Sequence, residues 1–404
     1  MNRRFQIAVV ASSTCVVTLL LVGTAVRGKS ASSDNVYNHL GVYSEVLSRI
    51  KADYVEEPDM KAVTAGAING LLESVDPYAS YLSADQFKQY QKSLGEQKAD
   101  VGLVLSRRYG YLSVEDAVPG GPAAKAGITT GDVIESINNV ATRDMPLAFS
   151  QMLVAGENGT TVELSVLRVR KNEPQKISLI RANIVYPPVS AKIVTDPGPE
   201  PVGVIQTYSL AKGRVAEIAA KIADLQKQGA KRFVLDLRSC ATGNPEEGVA
   251  LANLFLDKGL ITYLQGQKVA RVDSQASASK MITKAPLAVV VNRGTAGAAE
   301  VAAAALLDSK RADVVGEHTY GDAAVRKPVP MEDGSAVILS VAKYYTPSGK
   351  SIQDTGVTPN VAEADADATQ IDNLDDDSLP DTTNVPAKAD QIMRRALTVV
   401  EIVK

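Results

Sequence analysis

The chain has 404 residues, a net charge of −3 and 45% apolar residues, enough for two or three domains with a sizeable core. Its 43 basic residues are scattered among 46 acidic ones, which excludes a nucleic-acid-binding stripe. Two distant cysteines (Cys15, Cys240) exclude a disulfide framework and two histidines (His39, His318) a His-rich metal site; no cofactor is implied.

Arg3 and Arg4 precede an apolar run from Phe5 to Val26, long enough to cross a bilayer, and Arg27 and Lys29 follow. Residues 1–30 therefore read as a membrane anchor or as a signal peptide cut after Gly23-Thr24-Ala25. Either reading places the remainder on the far side of the inner membrane, in the periplasm or its equivalent. Residues 36–97 are predicted helical, with Val42, Tyr43, Val46, Leu47 and Ile50, then Val63, Ala67, Ile68 and Leu71, at helical spacing. Asp76-Pro77 interrupts, and Ser83 is a helix N-cap.

Residues 98–186 change character. Val101-Gly102-Leu103-Val104-Leu105 reads as a strand with a Gly entrance, Tyr111–Val114 as another, and Pro146–Ala155 as a short helix before strands at 161–168 and 175–180. From 187 to 361 strands and helices alternate: Val202–Gln206, Gly213–Gln228, Phe233–Leu237, Glu246–Leu256, Leu287–Val291 and Ala298–Leu307. That alternation predicts an α/β domain with a largely parallel sheet. Eight carboxylates and no cation between Glu363 and Asp381 read as an acidic linker within 362–388, and 389–404 as a closing helix.

The turn Asn292–Glu300 stands between a buried strand and an Ala-rich helix, where free N–H groups favour negative charge and where many enzymes place a nucleophile. Its exposed seat is Gly297, which has no side chain.

The stretch GGPAAKAGITTGDVIESIN at 120–138 resembles a PDZ domain. That resemblance implies that a protein C-terminus adds as a strand beside Val101, Gly102, Leu103 and Val104; the alternative is a PDZ fold used as a spacer. The helical segment at 52–82, the PDZ stretch, GAKRFVLDLR at 229–238, VVVNRGTAGAAE with VVGEHTYGD at 289–322, and VAKYYTPSGKSIQDTGVTPNV at 341–361 follow the order of the C-terminal processing (tail-specific) serine peptidases. The resemblance implies a multidomain α+β and α/β architecture: N-terminal helical cap, PDZ domain, α/β peptidase core and C-terminal helix. It also implies a Ser nucleophile, a Lys base 25 residues on and a Gln four beyond, and those seats hold Gly297, Asp322 and Arg326. Acyl transfer needs a nucleophile and a group to take its proton, and none of the three supplies either in the family's manner. The oxyanion-hole N–H groups fall on Gly243 and Ala298. Asp322 and Arg326 either pair or both face water. Cys240 with His318, and Thr295, are the substitute nucleophiles to weigh. The expected function is that of an exported peptidase homologue without catalysis that binds C-termini. It would serve as adaptor, regulator or assembly subunit, with an active relative as candidate partner and an oligomer as its form. The alternative is active proteolysis through Cys240.

Overall fold

The computed structural model describes residues 36–94, 98–108, 110–143, 145–168, 171–195, 198, 200–364 and 390–402. The predicted membrane segment, and the acidic linker beyond Ala364, lie outside them. The described residues fall into two compact units divided between residues 65 and 66. In the first, helix α1 (Val36–Asp53) leaves Leu40, Val42, Tyr43 and Val46 exposed. Helix α2 (Met60–Glu73) bridges the boundary in sequence.

The second unit begins with strand β1 (Ser80–Leu82) and helix α3 (Ala84–Ser93). Ser83 caps α3 through a reciprocal capping box with Gln86, as its place before the helix predicts. Then come β2 (Leu103–Arg108), β3 (Tyr111–Ala117), the short α4 (Pro122–Lys125), β4 (Val133–Ile137), β5 (Val140–Ala141), α5 (Leu147–Val154), β6 (Thr161–Leu167) and β7 (Gln175–Ile180). These strands form one antiparallel sheet in the order β2-β3-β4-β6-β7, with β2 at its edge. Alternating burial along β6 places Val162, Leu164 and Val166 in the core of this domain, together with Leu112, Ile134 and Ile137.

The third region runs β8 (Ser190–Val194), β9 (Val202–Gln206), α6 (Arg214–Lys227), β10 (Arg232–Asp236), α7 (Pro245–Asn253), β11 (Leu260–Gln265), β12 (Val272–Gln275), β13 (Leu287–Val291), α8 (Ala298–Asp308), β14 (Asp313–Gly316), β15 (Ala324–Pro330), β16 (Ala336–Tyr345), β17 (Val361–Ala362) and α9 (Gln391–Ile402). The central sheet β17-β14-β13-β10-β9-β8 is parallel apart from β8. Both of its faces are covered, so β13 is apolar and buried along its whole length. Ile218, Ile222, Leu251 and Ala302 from α6, α7 and α8 pack on one face. The closing helix docks on the other: Ile392, Ala396 and Val400 of α9 meet Val204, Val234 and Val290. A second, antiparallel sheet (β1, β16, β11, β12, with β15 on β16) flanks this core. The helix–strand alternation gives no sign of it.

Among the described residues no helix is long and apolar enough to cross a membrane, and no cluster of three or more His, Cys, Asp or Glu is placed to hold a metal ion.

Candidate functional site

The site is built on the turn from β13 into α8. Asn292 Oδ1 accepts from the N–H groups of Gly294 (3.1 Å) and Ser239 (3.0 Å), tying the turn to the loop after β10. Thr295 is fully buried, accepts from Asn292 N–H (3.0 Å) and donates to Leu237 C=O (2.9 Å). These bonds fix Gly297 at the head of α8 with φ 60° and ψ −119°. Side-chain-bearing residues adopt that conformation only with strain, whereas glycine adopts it freely. A Cβ built on Gly297 would meet only Asp322 C=O, at 3.5 Å, so the seat has room for a side chain that the sequence does not provide.

Glu300, in the first turn of α8, is the organising group beneath the seat. Its fully buried carboxyl accepts from the N–H groups of Gly297 (3.0 Å), Gly321 (2.7 Å) and Asp322 (2.9 Å) and from the Thr319 hydroxyl. Burial pushes its pKa up to about 7 against the pull of the Thr319, Gly321 and Asp322 donors. One side chain thereby holds the helix head and the 318–322 loop in register.

Asp322 and Arg326 pair: Arg326 Nη1 is 3.3 Å from Asp322 Oδ2, and Nη2 bonds Oδ1. No helix spans them. The register of β15 against β16 shifts between Val325 and Arg326, next to the pair. The guanidinium also lies over the Tyr78 ring, 4.0 Å from its centroid. Tyr78 meets Tyr320 edge-on at 6.5 Å, and the Tyr320 hydroxyl bonds Ser106 of β2. Each side chain of the Asp322–Arg326 pair is about a quarter exposed, at 23% and 25%.

The loop after β10 forms the opposite wall. Leu210 N–H bonds Thr242 C=O (2.8 Å) and Asn244 N–H bonds Leu210 C=O (3.0 Å), so the bridge to Leu210 leaves the Gly243 N–H without a backbone partner among the described residues. Gly243 has φ 151°, and a Cβ there would sit 2.5 Å from Leu210 C=O, so only glycine fits. Cys240 is fully buried, and burial together with Asp116 and Asp236 drives its thiol far above the ordinary range. His318 Nδ1 lies 2.8 Å from Thr319 C=O. Cys240 and Thr295 are thus both fully buried, and neither is exposed as an activated nucleophile.

The peptide-binding candidates sit at the edge of the first antiparallel sheet. Val101 and Gly102 are buried, Leu103 and Val104 half-buried, and Asp100 Oδ1 accepts from Gly102 N–H. Among the described residues β2 pairs with β3 alone, leaving its outer edge open, and α5 packs across the sheet. Arg181 braces α5 by donating to Val154 C=O (2.7 Å) and Leu153 C=O (2.9 Å).

The Peptidase family S41 profile matches residues 201–362, and a PDZ domain profile matches 113–168. The chain is 32% identical to the carboxy-terminal processing protease CtpA of Bacillus subtilis over 400 residues, 96% of this chain and 83% of that protein. This chain belongs to the carboxy-terminal processing proteases of peptidase family S41. It is also 30% identical to the carboxy-terminal-processing protease of Bartonella bacilliformis over 82% of this chain and 76% of that one. The solved photosystem II D1 C-terminal processing protease shares its fold with a TM-score of 0.66 at 29% identity, covering 79% of this chain and 86% of that one.

Within that family frame the structure brings Gly297, Asp322 and the Ala298 head of α8 together around Glu300. It also shows two groups that sequence reasoning passed over, Glu115 and Asp116 on β3. Both are buried; Glu115 feels the charges of Asp322, Glu300 and Arg326, and Asp116 lies near the Ser239 hydroxyl. Nothing in their local sequence marks them, because the contact is made between domains.

Proposed function

We propose that this S41 family member no longer cleaves peptide bonds and instead binds the C-termini of exported proteins through its PDZ domain. The observation that carries the reading is the residue at the head of α8. Gly297 offers no attacking atom, and Asp322, bonded to Arg326, stands where the family's amine base would be. An oxyanion hole without a nucleophile retains about 10³–10⁴-fold over water in triad knockouts, too little for a working protease. The open edge of β2 at residues 103–108 supports strand addition by an extended C-terminus.

The N-terminal apolar segment supports export and a place at the outer face of the inner membrane. The preserved family architecture supports a role as adaptor, regulator or assembly subunit beside an active relative, in an oligomer. A fluorescent peptide with an apolar C-terminus tests the binding half: anisotropy is expected to rise with the free carboxylate and not with its amide. Equal binding of both forms would refute carboxylate recognition. Affinity capture of the full chain from the envelope tests the partnership, with an active S41 relative expected in the eluate; its absence there would remove the partner from the account.

A further inference from the structure

Glu115 and Asp116 are neighbours on one strand, yet both are buried, with relative exposures of 1% and 4%. Neighbours on a regular strand face opposite ways. Here the register slips: Val104 pairs with Asp116 and Leu105 with Val114, so Glu115 is the extra residue of a bulge. The bulge lets both carboxyls meet the peptidase core. Glu115 lies within electrostatic reach of Asp322 of the 318–322 loop, Glu300 of α8, Arg326 of β15, Tyr78 ahead of β1, and its neighbour Asp116. The only cation in that set, Arg326, is already bonded to Asp322. Glu115 Oε1 meets no hydrogen-bond partner among the described residues. Asp116 lies near the Ala117 N–H and the Ser239 hydroxyl, which favour its charged form, and its charge is felt by Cys240, Tyr186 and Tyr208. The same hairpin is fastened to the core by the Tyr320–Ser106 bond.

We propose that the β2–β3 hairpin of the PDZ domain closes over the Gly297 seat through a proton-held latch, in which Glu115 and Asp116 dock as neutral acids and their ionisation frees the domain from the core. A buried carboxylate without a free cation neutralises rather than stay charged. Burial raises the Asp116 pKa to about 7, and burial with the Asp322 and Glu300 charges raises Glu115 well above the ordinary carboxyl range. Released into water, both return to about 4. Closure therefore retains protons that the open state gives up. The latch is at full strength below about pH 4. It weakens as pH rises toward the closed-state value of about 7 for Asp116, and Glu115 extends the same trend. The latch does not depend on whether the seat cleaves.

Amide hydrogen exchange of the full chain between pH 5 and 7, corrected for intrinsic rates, tests this. The opening constant read from segments 103–117, 237–243 and 318–323 is expected to rise about tenfold per pH unit for each acid released. Amides of β13, which report global unfolding, are expected not to follow that slope. The isosteric E115Q/D116N variant is expected to stay protected in those segments across the range. Unchanging protection in the natural chain, the same slope in the variant, or a matching slope in β13 would each overturn the latch. If the double variant fails to fold, D116N alone decides: its slope is expected to fall by about one proton, and an unchanged slope overturns the proposal.

Discussion

Replacing Gly297 by Ser isolates what the missing side chain costs and what it would restore. The backbone at φ 60°, ψ −119° favours glycine, and a side chain held in such a region costs about 1–3 kcal/mol. Steric overlap adds nothing, because the nearest atom to a new Cβ is Asp322 C=O at 3.5 Å. The lost freedom of the unfolded chain returns about 0.4–1 kcal/mol. The net is a destabilisation of up to about 2.6 kcal/mol, or a fall of about 2–4 °C in the melting temperature of the core for each kcal/mol. Thermal unfolding by circular dichroism reads it, and Gly297→Ala is expected to give the same shift, since the backbone rather than the hydroxyl is the cause. Gly297→Ser alone is expected to leave peptides intact, because Asp322 cannot serve as a neutral amine. Hydrolysis is expected only after Asp322→Lys and Arg326→Gln are added. Cleavage by Gly297→Ser alone, or failure of that variant to fold, would refute the reasoning.

Other substitutions probe the supports of the site. Gly248→Ala on α7 puts a Cβ 2.2 Å from Ala298 C=O at the head of α8, an overlap expected to cost about 1–3 kcal/mol by denaturant titration; a neutral result would contradict the close helix contact. Arg326→Met leaves Asp322 beside Glu115 and Glu300 without a cation. Partial exposure of the pair lowers the expected loss from the 3–5 kcal/mol of a fully buried pair to about 1–3 kcal/mol. Adding Asp322→Asn is expected to recover part of that loss, and strictly additive effects would argue against the pairing. Cys240, fully buried with a raised thiol pKa, is expected to resist alkylation in the native chain at pH 8 and to react on unfolding, as mapped on its own peptide. Native labelling within tenfold of a free thiol would reopen it as a nucleophile.

The sequence made the core elements legible because burial on both faces writes β13 as an unbroken apolar run and α9 as an amphipathic stripe. Val202–Gln206 and Leu287–Val291 appear at their predicted limits. The PDZ edge strand was read two residues early, since Val101 and Gly102 are buried loop and pairing begins at Leu103. The Asp322–Arg326 pair was legible as an alternative; the structure sets it between the loop before β15 and a register shift within that strand. Glu115 was not legible at all. A Glu in a strand normally faces water, and only the bulge and the packing of another domain against it bury the carboxyl. Glu300 stood inside a recognised motif, yet its grip on the 318–322 loop depends on side-chain geometry that spacing does not encode.

The most direct measurement follows one peptide through both steps. The purified full chain, in molar excess over a peptide with a free apolar C-terminus, is incubated for many hours while anisotropy reports binding and mass spectrometry reports peptide length. The account predicts a saturable complex and a peptide of unchanged mass. A shortened peptide whose appearance is lost on Cys240→Ala or Thr295→Val would show that another side chain performs the attack, and the reading of a non-cleaving family member would fail.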